Sequence, residues 1–162
     1  MTTQSNAAGK LPSVLLIEDA FNGELISSLL QDAGLSVWHS RDENDAATAV
    51  CCFNPDVMLV AFNDAGPDGP AIVAQLKASM PRLQNVPVIV MTESRMSALA
   101  RRRLATLNVT WILEKPLVLT SLPKLVRATM RSSNADVVQS QRFVQQIEFG
   151  QSASSALMRC VV

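Results

Sequence analysis

The chain has little of what announces most chemistries. Its 162 residues contain one histidine and three cysteines. Cys51 and Cys52 are neighbours on a predicted helix and point in different directions, while Cys160 is distant in sequence. An odd, scattered set of this kind suggests no disulfide framework, and no Cys/His cluster has the spacing of a metal site. No apolar run approaches the roughly 20 residues needed to span a bilayer, and the opening MTTQSNAAGK lacks the apolar core of a signal peptide. A reduced, cytoplasmic compartment is the expectation. Charge of one sign is not in excess either, because 14 basic and 14 acidic side chains cancel, which argues against a wholesale nucleic-acid binder. There is no Gly-x-Gly-x-x-Gly after the first predicted strand and no Gly-Lys-Ser/Thr anywhere, so neither a dinucleotide site nor a phosphate-binding loop is supported. With His39 the single histidine, no nucleophile–base pair can be assembled and no enzymatic activity is expected.

What the chain does have is apolar surface to bury. Apolar residues make up 48% of it, enough for a sizeable core and inconsistent with a disordered chain; the length suits about one domain. The charge is unevenly spread. Residues 1–80 carry three basic against ten acidic side chains, and residues 81–162 eleven basic against four acidic. Either one acidic and one basic surface result, or the charges mingle once the chain folds.

Short apolar runs at residues 14–17, 57–62, 87–91 and 110–113 read as buried strands, and the weakly alternating residues 35–38 as a further one. Helical spacing falls between and after them. Leu25, Ile26, Leu29 and Leu30 precede a stop at Gly34, residues 44–53 form an Ala/Val/Cys helix, and Ile72, Val73 and Leu76 share one side of a helix over 71–79. Ala100, Leu104 and Leu107 face inward on a helix over 97–107, and Thr120 can cap a last helix. Strands alternating with helices predict an α/β fold, a doubly wound five-stranded parallel sheet with helices on both faces. In such sheets the functional crevice lies at the carboxyl ends of the strands, which singles out Glu18 and Asp19, Ala61 to Asn63, Thr92 and Glu93, and Glu114 and Lys115.

In that order and at that spacing, several motifs over roughly residues 13–131 resemble the receiver domain of bacterial two-component response regulators. They are Val14 to Asp19, Pro55-Asp56 before the third strand, the turn Gly66-Pro67-Asp68-Gly69, Val88 to Thr92, and Glu114-Lys115-Pro116. The resemblance implies a flavodoxin-like strand order 2-1-3-4-5. It also implies a phosphoacceptor aspartate ending the third strand, Mg²⁺ held by acids after the first, a hydroxyl after the fourth and a lysine after the fifth. Carried over, the acids are Glu18 and Asp19, the hydroxyl Thr92 and the lysine Lys115, with Asn63 beside them. The phosphoacceptor position is Ala61. A methyl group has no lone pair to attack phosphorus, and its presence leaves two carboxylates where the family supplies three, a poor site for a tightly hydrated Mg²⁺. No cofactor is therefore expected. Lys115 is expected to neutralise Asp19 as a structural ion pair, against the lesser alternative of a metal held by Glu18 and Asp19.

A second departure lies at the position where the family carries a Tyr or Phe that changes rotamer during switching. Here it is Ile112, and Trp111 should project to the opposite face of the strand. The expectation is a degenerate receiver whose phosphoryl switch is lost, acting as a protein–protein interaction module in bacterial two-component-type signalling. Two alternatives stand beside it: a small-ligand or metal sensor that reuses the vacated crevice, and a receiver phosphorylated on Asp64. In the family the fourth helix, fifth strand and fifth helix form the usual docking surface. Here that region carries Arg95, Arg101, Arg102, Arg103, Lys124 and Arg127, which would suit a signalling partner with an acidic surface. A solvated face that serves solubility is the competing reading.

Residues 1–12 read as a flexible arm and 132–162 as a C-terminal helical extension and tail. In the extension Val137, Val144 and Ile147 recur at heptad-like spacing beside Val138 and Phe143. The segment is too short for a separate output domain, and packing back, a homodimer contact or folding on a partner are the options.

Overall fold

A computed structural model of the protein describes residues 10–62, 68–93 and 96–132. Asn63, Asp64 and Arg95, the arm up to residue 9, and the extension beyond Ser132 lie outside the described residues.

The strands are β1 (Ser13–Ile17), β2 (Ser36–Ser40), β3 (Val57–Phe62), β4 (Val88–Thr92) and β5 (Val109–Glu114). They form one sheet in the order β2-β1-β3-β4-β5, every pairing parallel. Parallel strands need crossovers, and helices supply them: α1 (Ala20–Asp32), α2 (Glu43–Cys52), α3 (Gly69–Ser79) and α4 (Ala98–Ala105), with α5 (Leu122–Ser132) following the last strand. The alternation of strands and helices predicts the doubly wound parallel sheet, and the family resemblance predicts this strand order.

Period-two alternation sends the side chains of β1, β3, β4 and β5 to two separate cores. Leu15, Ile17, Met58, Val60, Val90 and Ile112 meet Val50 of α2, Val73 of α3 and Leu104 of α4 on one face. Val14, Leu16, Leu59, Ala61, Met91 and Leu113 meet Ile26 and Leu30 of α1 and Val126 of α5 on the other. Ile112 and Trp111 therefore do pack on opposite faces, Trp111 against the core shared with α1 and α5.

The helix starts explain most differences from the sequence reading. Asp19, Asp42, Asp68 and Ser97 each accept a backbone N–H of the first turn of α1, α2, α3 and α4. Side-chain caps satisfy donors that the helix itself leaves orphaned. Because Asp42 caps, α2 begins at Glu43 rather than at 44. The last helix starts at Leu122, later than a cap at Thr120 would place it. At the other end of α1, Gly34 adopts φ +80°, and the N–H groups of Gly34 and Leu35 close onto the carbonyls of Gln31 and Leu30. That left-handed closure is what stops the helix.

Among the described residues one cation lies inside the fold. Lys77 of α3 is buried, and its ammonium donates to the carbonyls of Gln84 (3.1 Å) and Val86 (2.6 Å), just past the 3₁₀ turn Pro81–Leu83. Burial lowers its pKa from 10.5 to about 8. Between those two pH values the unfolded chain binds more protons than the folded one, so this group's contribution to stability rises with pH through the window. The rise is on the order of 1–3 kcal/mol. Urea midpoints of the natural chain and of Lys77→Met, compared at pH 8 and pH 10.5, should show the natural chain gaining on the variant. Parallel behaviour of the two would refute the assignment.

Candidate functional site

Register brings the expected positions to one edge. Ile17 pairs with Val60, Ala61 with Met91, Phe62 with Thr92, and Thr92 with Glu114. The residues after β1, at the end of β3, at the end of β4 and after β5 therefore assemble at the carboxyl edge of the sheet, with Glu18, Asp19, Ala61, Thr92 and Lys115 among them. Thr92 is buried, and its carbonyl accepts the Lys115 N–H at 2.7 Å, which ties the start of the β5 loop to β4.

The charged residues there are arranged differently from the sequence expectation. Lys115 pairs with Glu18, not with Asp19: its ammonium is 2.9 Å from Glu18 Oε2, with the Glu93 carboxylate a more distant second at 3.9 Å. The reason is local. Asp19 turns its carboxylate along the chain to open α1, accepting from the Asn22 N–H at 3.0 Å and the Asn22 side-chain amide at 2.7 Å. Those hydrogen bonds, the backbone one foremost, hold Asp19 below the ordinary aspartate pKa. Glu18, continuing straight from a strand with no exposed residue, has nowhere to go but inward.

Glu18 is fully buried, and burial pushes its pKa up while Lys115 and the Asp19 N–H draw it back. Its Oε1 accepts that N–H at 3.1 Å. Its backbone is held by β2, with the N–H on the Ser40 carbonyl at 3.3 Å and its own carbonyl 3.1 Å from His39 Nε2. His39 in turn lies against Gly23 of α1, where a Cβ would meet the ring at 1.9 Å. The sequence reading set His39 aside because no catalytic partner was in sight; its role is to brace the Glu18 main chain.

These residues do not fit Mg²⁺. Each oxygen of Glu18 and Asp19 already accepts a hydrogen bond from the chain itself. The third carboxylate position is a buried methyl, Ala61, and no group of three Asp, Glu, His or Cys residues among the described residues is placed to hold a metal ion. The Lys115 ammonium supplies the positive charge at Glu18. The same engagement leaves those two carboxylates little capacity for the small-ligand alternative.

The basic region is also regrouped. Arg102 and Arg103 are exposed on α4, Arg101 is half-buried, and Lys124 is exposed on α5. Leu99, 70% exposed, sits three and four residues before Arg102 and Arg103 and shares their face. Arg127 does not join them. It is half-buried, and its guanidinium donates to the Ala33 carbonyl just past α1, where a cation also suits the helix dipole. Arg127 belongs to the α1–α5 seam.

Among the described residues no helix is long and apolar enough to cross a membrane. No family model matches the chain, and none of the curated proteins matches it. Solved structures do. The chemotaxis protein CheY4 of Vibrio cholerae is 21% identical with a TM-score of 0.66, the match covering 74% of this chain and 99% of that one. The receiver domain of the Francisella response regulator 1452 is 20% identical with a TM-score of 0.63, covering 75% and 98%. A two-component response regulator from Clostridium difficile is 17% identical with a TM-score of 0.64, covering 78% and 100%. Likeness at these identities speaks to architecture alone, and there it agrees with the strand order and the five helices: this chain has the receiver-domain fold of response regulators.

Proposed function

We propose that the protein is a phosphorylation-independent receiver, a protein-interaction module of two-component-type signalling rather than an enzyme or a phosphoryl switch. One observation carries the reading. The side chain at the end of β3, where phosphoryl transfer would need an oxygen nucleophile, is the buried methyl of Ala61. The ring that would relay switching is replaced by Ile112, buried in the core shared by α2, α3 and α4. The lysine that would neutralise a transferred group is held on Glu18.

What survives loss of a reactive residue is a surface. The partner we propose is a signalling protein with an acidic patch. It meets the face on which exposed Leu99 lies beside Arg102 and Arg103, with Lys124 as a further exposed cation on α5. An apolar contact rimmed by cations suits such a partner, the charges chiefly accelerating encounter.

Incubation with acetyl phosphate, followed by intact-mass analysis, should give no hydroxylamine-labile adduct, and beryllofluoride should leave the amide spectrum unchanged. An adduct that disappears in Asp64→Asn would overturn the proposal in favour of a phosphorylated receiver. Reversal of charge at Arg102 and Arg103 should slow association with the partner more than it speeds dissociation. An unchanged association rate would remove the basic face while leaving the silent switch standing.

A further inference from the structure

The two largest apolar exposures among the described residues are Phe21 on α1, at 82%, and Leu99 on α4, at 70%. Leu25, one turn after Phe21, is also exposed and extends the α1 patch. Single exposed apolar side chains are ordinary. What sets these two patches apart is the charge around them. On α1, exposed Glu24 and Asp32 share the Phe21 and Leu25 face, and the helix has no basic residue. On α4, exposed Arg102 and Arg103 flank Leu99, and the helix has no acidic residue.

The contrast extends to the neighbouring helices. Within α2 there are acidic side chains and no basic one, and within α5 the reverse. Sheet order explains why the uneven charge of the sequence persists in the fold. The strands up to Phe62 build β2-β1-β3, and the later ones build β4-β5. Accordingly α1 leads to the β2 edge and α4 to the β5 edge. They also pack on opposite sheet faces, Ile26 and Leu30 of α1 in one core and Leu104 of α4 in the other.

We infer that the protein associates head to tail with itself. The Phe21 and Leu25 face of α1 in one copy docks on the Leu99 face of α4 in the next, with Glu24 and Asp32 toward Arg102 and Arg103. The inference rests on the reading of α4 as an interaction face, and it identifies the acidic partner as a second copy of this chain. Apolar contact supplies the attachment, and the opposed charges steer the encounter and fix its register. Those charges also reject the symmetric alternatives. Setting α1 on α1 would bring acids together, and α4 on α4 would bring arginines together. Because the two patches lie at opposite edges and on opposite faces, one neighbour cannot cover both. Each copy therefore uses them on two different neighbours, and the assembly is open rather than a closed pair. A contact made by one helix from each copy is small, so it is weak and is populated where the protein is concentrated.

The test is sedimentation velocity on the full-length chain. Taken up to about 1 mM, the natural protein should gain mass with concentration, and the gain should fade as salt rises from about 0.05 M to about 0.5 M. Phe21→Ser with Leu25→Ser, and separately Arg102→Glu with Arg103→Glu, should each weaken association by about tenfold or more. All four side chains are exposed, so both variants should keep the natural urea midpoint. Mixing the two variants supplies the decisive readout: one intact α1 face then meets one intact α4 face, and assembly should stop at a one-to-one pair. Oligomers that persist unchanged in either variant, or a mixture that gains no mass, would overturn the inference in favour of another contact surface. A natural chain that stays monomeric throughout would overturn it alone, since the association rate with a separate acidic protein judges the interaction-module reading on its own.

Discussion

Lys115→Met is expected to destabilise the fold by about 3 kcal/mol at neutral pH, among the largest effects of any substitution near the carboxyl edge of the sheet. The substitution removes the cation 2.9 Å from a fully buried carboxylate and leaves Glu18, among the described residues, with the Asp19 N–H as its remaining side-chain donor. Removing one partner of a buried pair costs more than removing both, because the survivor stays desolvated and uncompensated. Protonation limits the damage. A glutamate ordinarily titrates near 4.5, so keeping Glu18 neutral at pH 7 costs about 1.4 kcal/mol for each pH unit above that value. The penalty of Lys115→Met should shrink accordingly as pH falls toward 4.5. The double variant Glu18→Gln with Lys115→Met should recover to within about 1 kcal/mol of the natural chain, and the cycle of four proteins isolates the pair. Urea unfolding at pH 7 and pH 5 checks all of this, and a Lys115→Met midpoint equal to that of the natural chain at pH 7 would sink it.

The natural chain should carry a fainter version of the same signature. Its Glu18 pKa is raised in the folded state, so just above pH 4.5 the folded protein binds more protons than the unfolded one. Stability contributed by this group therefore falls as pH rises through that window and levels off once Glu18 is ionised in both states. Both oxygens of that carboxylate are already engaged, Oε1 by the Asp19 N–H and Oε2 by the Lys115 ammonium.

Much of this was legible before any coordinates. The sheet largely was, because strands buried on both faces must be continuous apolar runs, as β1, β3 and β4 are; β2, an edge strand of sequence SVWHS with Ser36 and Trp38 exposed, alternates instead and gave the weaker signal. The site positions followed, since parallel sheets deliver the residues after their strands to one edge. Partner choice within the site was not legible. Glu18 and Asp19 are adjacent acids of nearly equal reach, and only the fact that Asp19 opens α1 decides which one faces Lys115. Asn22 three residues on was the available hint. Arg127 was misplaced for a similar reason: charge counts along a helix do not reveal which face meets a neighbouring helix terminus. Lys77 gave no signal at all, since its acceptors are main-chain carbonyls, which every residue has.

Gly69→Ala is expected to destabilise the protein by about 3 kcal/mol, against the direction that helix propensity would dictate. At an unconstrained helical site the added methyl would stabilise by up to about 1 kcal/mol. Here Gly69 is the first residue of α3 and is buried, and a Cβ would lie 2.3 Å from the Ala61 carbonyl oxygen and 3.2 Å from Val60 Cβ. The first of these is main chain, fixed by the pairing of Ala61 with Met91 in the middle of the sheet, so the helix rather than the strand must yield. In the sequence this glycine reads as turn chemistry, one of several Gly and Pro residues after β3. Its requirement is instead closeness, since it lets the start of α3 rest directly on the end of β3. The contact involves the backbone of residue 61 and not its side chain, so the loss should be the same whether position 61 is Ala or Asp. Urea unfolding of Gly69→Ala, alone and combined with Ala61→Asp, measures this. A variant as stable as the natural chain would mean that α3 can lift from the strand without cost, and equal losses in both backgrounds would show that the scaffold holding position 61 persists independently of the chemistry it carries.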